Sequence, residues 1–458
     1  MLEQRADMPS LDSARVDSDH SQTPTSAMIE QPFTLPCGVT LPNRLAKAAM
    51  TEGLADRDHL ATPRLAQLYR RWSAGGIGLS LTGNVMIEHS VLENPANVVI
   101  DPTHPHTVSA EARERLRAWA QAGSVAGNAL WMQISHAGRQ SPRYVTGRPR
   151  GPSAVQLDLL GNYARPVALT REEIAELVQR FAKVAMIARD CGFGGVQIHS
   201  AHGYLLSSFL SPVTNRREDE YGGSVDNRAR FLIQILRAVR QAVGSDYPLS
   251  VKLNSDDFRK GGFSHADCLK VVELLNPEGI DLLEISGGTY EQPRLLGMEG
   301  KPDSVMPVRA STRLREAYFL SYAEDIRKIA RMPLMVTGGF RSRAGMVQAL
   351  SDGVCDVIGI ARPVCTHPDS PGSLLAGEID ALPAFEAGLH LAERGWRSPT
   401  SRFTLMRVIN VLGGQQWYYE NIHRLADGLP PRLDRGMLTA FAMFWRNELW
   451  RAARMRRG

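Results

Sequence analysis

Cysteine is scarce: five residues among 458, at Cys37, Cys191, Cys268, Cys355 and Cys365, with no C-x-x-C pair. That spacing offers no zinc site, iron-sulfur cluster or disulfide framework, so buried reduced thiols are expected and a metal is not. No apolar run approaches the roughly eighteen residues that a membrane span needs. The N-terminus also lacks the basic-then-apolar pattern of a secretory leader, and a cytoplasmic location is expected. No G-x-G-x-x-G turn follows an early strand candidate, which argues against an open sheet built on the dinucleotide-binding fingerprint. Basic charge is concentrated at one end. Of the net +5, the segment 444–458 supplies +4, from Arg446, Arg451, Arg454, Arg456 and Arg457 against Glu448. The remainder is close to neutral, so nothing requires a fold-wide basic patch for nucleic acid.

What is present is the composition of a soluble globular chain, 43% hydrophobic and 22% charged. Residues 1–28 are polar, rich in Ser and Asp and without hydrophobic period, and read as a flexible N-terminal arm. From 29 to 385, short apolar runs recur at intervals of roughly forty residues. They are NRLAKAAMT (43–51), IGLSLTGNV (77–85), NALWMQIS (128–135), GGVQIHS (194–200), PLSVKLNS (248–255), IDLLEISGG (280–288), PLMVTGG (333–339) and CDVIGIAR (355–362). Helical patterns lie between most of them. In 170–192, Thr170 and Glu173 form a capping box and Gly192 a stop. Segments 224–244 and 322–330 behave similarly. Strand-helix alternation repeated eight times predicts a parallel (β/α)₈ TIM barrel of the α/β class. Residues 386–458 form a C-terminal helical extension, in which Leu438, Phe441, Ala442, Trp445 and Leu449 follow helical spacing on a segment with a basic end. Such a helix could lie on an anionic membrane surface; packing against the barrel or a second subunit is preferred.

A barrel carries its chemistry at the C-terminal ends of its strands. Read in order, those ends present Met50 and Thr51, then Thr82-Gly83-Asn84, Gln133 with His136 and Arg139, His199-x-x-His202-x-Tyr204, Lys252, Gly338-Gly339, and Ala361-Arg362. A lone Gln, Thr or His at a strand end is usually a satisfied hydrogen-bonding group. Lys252 inside an apolar run needs an anionic partner, and so many polar groups at one mouth favour function. Glycines after strand seven let N–H groups approach an anion, and Arg362 adds a forked donor, so a phosphorylated cofactor or substrate is expected there.

The stretch HSAHGYLLSSFLSPVTNRREDEYGGSVDNRARF (199–231), with NRLAKAAMTEG, MQISHAGRQ, GPSAV, ISGGTYE and GIARP, resembles the old yellow enzyme family of FMN-containing, NADH- or NADPH-dependent ene-reductases. The resemblance covers about 29–385. It implies that Ala49, Met50 and Thr51 lie along the flavin, that Gly83 and Gln133 meet its pyrimidine edge, and that Lys252 sits beside N1 and O2. Gly338, Gly339, Ala361 and Arg362 would hold the phosphate. His199 and His202 would bind a substrate carbonyl oxygen, and Tyr204 would donate a proton, giving reduction of the C=C bond of α,β-unsaturated carbonyl or related small electrophilic alkenes. His202 replaces the Asn of some members, Thr51 the Cys of one subgroup, and Lys252 an Arg; the last keeps the charge, loses the planar fork, and is expected to shift the flavin potential. Two other readings stay open, a Schiff-base aldolase using Lys252 and a non-catalytic barrel scaffold. A homo-oligomer is compatible with the sequence. The charged run 214–224 reads as a structured loop, not as catalytic.

Overall fold

The computed structural model describes residues 28–159, 161–288 and 319–455. Residues 1–27 of the expected N-terminal arm, the end of ISGGTYE and the final arginines, Arg456 and Arg457, lie outside the described residues.

Eight parallel strands close into a barrel: β1 Leu45–Lys47, β2 Leu79–Met86, β3 Ala129–Ser135, β4 Gly195–Ser200, β5 Leu249–Asn254, β6 Leu282–Ser286, β7 Leu334–Thr337 and β8 Val357–Ile360. Each falls within or at the edge of one apolar run. The runs are continuous rather than alternating because both strand faces are covered: β2, β4, β5 and β6 are buried at every residue. Inside, Ala46, Leu79, Leu81, Trp131, Leu282, Met335 and Val357 fill the lower barrel, closed by Leu35 and Leu41 around a two-stranded pair, Phe33–Thr34 with Thr40–Leu41.

The surrounding helices are α1 Pro63–Ser73, α2 Ala110–Ala122, α3 Arg171–Asp190, α4 Leu205–Leu210, α5 Val225–Val243, α6 His265–Leu275, α7 Leu320–Arg327, α8 Arg343–Ser351, α9 Arg362–Thr366 and α10 Ser370–Leu375. α3 starts where its capping box stands: Thr170 Oγ1 accepts from Glu173 N at 3.2 Å, and Glu173 Oε2 accepts from Thr170 N at 2.9 Å. Gly192, at φ +89°, takes the left-handed turn that ends it. α7 runs from Leu320 rather than from 322, and stops at Arg327. The charged run after α4 is a hydrogen-bonded loop: Asn215 Nδ2 donates to the Phe209 and Tyr221 carbonyls, both at 2.7 Å, and Arg217 pairs with Asp219.

Of two long helices, α11 Thr404–Ala426 folds back over the barrel mouth and α12 Met437–Met455 packs against α11. Arg64 on α1 holds Asp427 in a two-point ion pair, and His423 Nε2 donates to the Glu52 carbonyl at 2.9 Å. The face that α12 turns inward is not the apolar stripe in its sequence. Met437, Ala440, Glu448 and Ala452 are buried, whereas Leu438 and Leu449 are 54% and 55% exposed. Polar anchoring fixes this rotation. Glu448 accepts from Asn94 Nδ2 at 2.8 Å and from the Tyr144 hydroxyl at 3.3 Å, and Arg451 donates to the Gly53 carbonyl at 2.8 Å. Among the described residues no helix is long and apolar enough to cross a membrane.

Candidate active site

The strand ends and the extension enclose a cavity of about 420 Å³. Ala49, Met50, Thr51, Gln133, His199, His202, Tyr204, Lys252, Ala361 and Arg362 all line it, and so does Asn84. Gly83, Gly338 and Gly339 are not among the residues that line it; Gly83 lies against Met50 and Thr51, which do. Gly83 belongs to a bulge where the β2–β3 register shifts between Leu81 and Asn84, a common device for re-aiming side chains beside a site. Its N–H donates to Glu52 Oε1 at 2.9 Å and to the Tyr69 hydroxyl oxygen at 3.1 Å. A Cβ there would lie 2.3 Å from Glu52 Oε2 and 2.5 Å from the Met50 carbonyl oxygen, so only glycine fits.

His199 is the penultimate residue of β4, and His202 follows the strand in a left-handed turn at φ +62°. A non-glycine residue keeps that conformation only when its surroundings enforce it. Here the His202 N–H donates to Asn254 Oδ1 at 3.1 Å, and Gln140 Nε2 donates to the His202 carbonyl. The two rings face one another, with His199 Nε2 and His202 Nδ1 3.3 Å apart. His199 Nδ1 lies 2.9 Å from Asn84 Oδ1 and 3.2 Å from Ser135 Oγ, and His202 Nε2 is 2.7 Å from Ser286 Oγ. Burial, reinforced for His199 by His202 and for both rings by the Lys252 ammonium, pushes both imidazoles well below their ordinary range. They are therefore neutral, and a tautomer shift decides which nitrogens present an N–H to the cavity.

Lys252 has the anionic partner that its position demands. Its Nζ is 2.9 Å from Glu284 Oε1 on β6, and both side chains are almost fully buried. Thr337 Oγ1 donates to the same Glu284 oxygen at 2.7 Å, while Gln197 Nε2 donates to the other at 2.9 Å and Gln133 Nε2 donates to Gln197 Oε1 at 2.7 Å. This chain of polar groups crosses five strands and fixes the Gln133 amide. It also removes the unpaired amine that the aldolase reading requires. His136 and Arg139 are scaffold instead: His136 pairs with Glu88 at 3.0 Å, and Arg139 donates to the Val155 carbonyl at 3.2 Å.

After β7, Gly338 and Gly339 both take positive φ, +125° and +92°. A Cβ on Gly338 would come within 3.1 Å of the Phe319 ring. Arg362 opens α9, and its Nη1 is 3.1 Å from Glu386 Oε1, a carboxylate of the extension that also pairs with Arg341 and accepts from the Tyr418 hydroxyl at 3.0 Å. Burial opposes the charge on Glu386, but its backbone hydrogen bond, Arg341 and Arg362 outweigh burial and hold the carboxyl below its usual range.

Two features escaped the sequence reading. Glu93, on the loop after β2, accepts hydrogen bonds from Thr51, Tyr204, Asn84 and Asn97. A carboxylate on a loop reads as solvated, and only its distance of seven residues from the β2 end hinted otherwise. The second is the roof. Glu386, Leu389, Asn410, Gly414, Gln415, Tyr418, Tyr419 and Ile422 all line the cavity, so the extension builds part of the site. Glu284 was within reach, since an acid inside the apolar run DLLEIS mirrors the lysine inside PLSVKLNS.

The sequence profile of the NADH:flavin oxidoreductase / NADH oxidase family matches residues 29–377. The NADH-dependent flavin oxidoreductase iliE of Hypocrea jecorina (strain QM6a) is 36% identical over 362 residues, covering 75% of this chain and 88% of that protein. The NADH-dependent flavin oxidoreductase iccE of Talaromyces variabilis is 33% identical over 416 residues, 86% of this chain and 97% of that one. Among solved structures, the old yellow enzyme homologue from Zymomonas mobilis shares the fold with a TM-score of 0.63 and 27% identity, over 78% of this chain and 95% of that chain. Together with the closed barrel and its polar mouth, these similarities establish that the chain belongs to the NADH:flavin oxidoreductase / NADH oxidase family, the family of the old yellow enzymes, and is a flavin oxidoreductase.

Proposed function

We propose that the enzyme reduces the C=C bond of α,β-unsaturated carbonyl compounds or similarly activated alkenes. The observation that carries this reading is the convergence of His199, His202 and Tyr204 on the one cavity that Gln133 and Lys252 also line. The family's cofactor is FMN, with NADH or NADPH as hydride donor, and the residues fit it. Ala49 and Met50 would give an apolar wall for a flat ring, Lys252 and Gln133 a cation and an amide for its polar edge, and Ala361 and Arg362 on the lining, with Gly338 and Gly339 after β7, would hold its phosphate. Among the described residues the Gly338 and Gly339 N–H groups donate to no protein acceptor.

Bound FMN supplies the hydride chemistry, from nicotinamide to alkene. The protein supplies position and electrostatics. A substrate carbonyl oxygen seated against His199 Nε2 and His202 Nδ1 accepts from two neutral imidazoles. Ser286 donating to His202 Nε2 fixes the tautomer with an N–H at Nδ1, and His199 becomes the second donor when its ring proton moves from Nδ1, where Asn84 Oδ1 accepts it, to Nε2, with Ser135 then donating to Nδ1. These donors stabilise the enolate charge that develops as the β-carbon gains hydride. Tyr204 then gives its phenolic proton to the α-carbon. A cytoplasmic location belongs to the same proposal.

Tyr204→Phe tests it. Reoxidation of the NADPH-reduced enzyme by a cyclic enone should slow by about 10²–10⁴-fold without a matching loss in reduction by NADPH, followed anaerobically at the flavin absorption band. An enone step as fast as in the parent enzyme would remove Tyr204 from the reaction.

A further inference from the structure

The Glu93 carboxylate is held against Tyr204 by contacts that divide unequally between its two oxygens. Oε1 accepts from Thr51, from Asn84 Nδ2 at 2.9 Å and from Asn97 Nδ2 at 3.3 Å. Among the described residues Oε2 receives only the Tyr204 hydroxyl. The Asn84 and Asn97 amides can only donate to Oε1, so a carboxyl proton has two hydroxyls that can take it, Thr51 at Oε1 and Tyr204 at Oε2, and Oε2, which receives no amide N–H, is the less crowded seat.

From this geometry we propose that Glu93 is the positioning residue of Tyr204 and the source of its replacement proton, acting through the phenol and not on the substrate. The inference rests on the proposed role of Tyr204. As the enolate carbon takes the Tyr204 proton, the phenol O–H bond breaks and the α-C–H bond forms. The Glu93 Oε2–H bond breaks as the phenol O–H is remade, so Glu93 ends as a carboxylate and water returns its proton. An ionised Glu93 would oppose the step, because a phenolate forming beside a carboxylate brings two anions together.

The surroundings agree. Burial, with the neighbouring Glu52 carboxylate, holds Glu93 above the usual carboxylate range against the hydrogen bonds of Thr51, Asn84 and Asn97. The other ionisable groups that feel Glu93 are the Tyr144 and Tyr163 phenols of the loop after β3, Tyr419 on α11 and Glu448 on α12. None of these is a cation. Arg451 lies beyond Glu448, and Lys252, the cation nearest the histidines, is paired with Glu284.

The test is the pH profile of the enone step, measured on the full-length holoenzyme with NADPH-reduced flavin. In the parent enzyme the rate should fall as pH rises through the titration of Glu93, above the usual carboxylate value of about 4.3, since the acid form is the competent one. Glu93→Gln should be slower by about tenfold or more and lose that limb, while Glu93→Asp should restore part of it at a shifted midpoint. A Glu93→Gln enzyme that keeps the parent profile overturns the inference. So does a Glu93→Asp profile identical to the parent, should the Gln variant not fold. If Tyr204→Phe is itself without effect, the proposed function fails; if Tyr204→Phe is slow and Glu93→Gln is normal, only the relay fails.

Discussion

At the residue scale the site is a set of buried polar groups, each held by a neighbour of complementary chemistry. Removing Lys252 would leave Glu284 charged inside the barrel, so Lys252→Met should cost about 3–5 kcal/mol of stability, read as a shift in the denaturant midpoint. An unchanged midpoint would mean that the pair contributes nothing to the folded state. Gly338→Ala forces a side chain into φ +125° and against Phe319. It should cost roughly 1–3 kcal/mol and weaken FMN binding, measured by flavin fluorescence on titrating the apoprotein. The residues legible in the sequence, His199, His202 and Tyr204, share one strand end, so a single local motif places them. Gln133 and Lys252 were legible because polar groups inside apolar runs stand out. Glu93 was not, because its role depends on a loop folding back over Tyr204, and no local pattern encodes that contact. The contact between the two rings, His199 Nε2 to His202 Nδ1 at 3.3 Å, is set by the left-handed turn at His202, which no sequence pattern encodes.

At the element scale, period and punctuation located the barrel strands and α3, since continuous burial and a capping box are both written locally. α12 shows the limit of that reading. Its apolar stripe is periodic, yet the inward face is set by Glu448 and Arg451 meeting Asn94, Tyr144 and the Gly53 carbonyl. These contacts carry a pH signature. Burial raises Glu448 from 4.5 to about 7. The folded chain therefore keeps a proton that the unfolded chain has released, and this contribution, full below pH 4.5, is lost as pH rises through 7. His423 works in the opposite sense. Burial, with Arg451 and Arg64 nearby, lowers it from 6.5 to about 4 despite the hydrogen bond to Glu52, so its contribution is present above 6.5 and lost as pH falls through 4. Glu448→Gln keeps an acceptor for Asn94 and Tyr144 but removes the buried charge. It should raise the melting temperature at pH 8 and leave it nearly unchanged at pH 5; a lower melting temperature at pH 8 would show that the charge itself holds the helix.

At the scale of the whole molecule, a family barrel is roofed by its own C-terminal extension, and the cavity is shared between them. Tyr418, Tyr419 and Gln415 come from a segment beyond the family match at 29–377, so part of the cavity wall lies outside the family barrel. Tyr419→Ala should open the roof and raise kcat/KM for bulky enones relative to small ones; a ratio that does not move would exclude α11 from substrate selection. The barrel was legible because eight repeats of one pattern reinforce each other, whereas the roof follows no repeat and depends on contacts between residues more than three hundred positions apart, such as Arg64 with Asp427. The central claim, alkene reduction with hydride on the β-carbon and a solvent-derived proton on the α-carbon, is tested most directly by its product. The enzyme, FMN, NADPH and a cyclic enone are incubated anaerobically in D₂O, and the product is examined by NMR. The saturated ketone carrying one deuterium at the α-carbon is predicted; enone recovered unreduced after NADPH has reduced the flavin would contradict it.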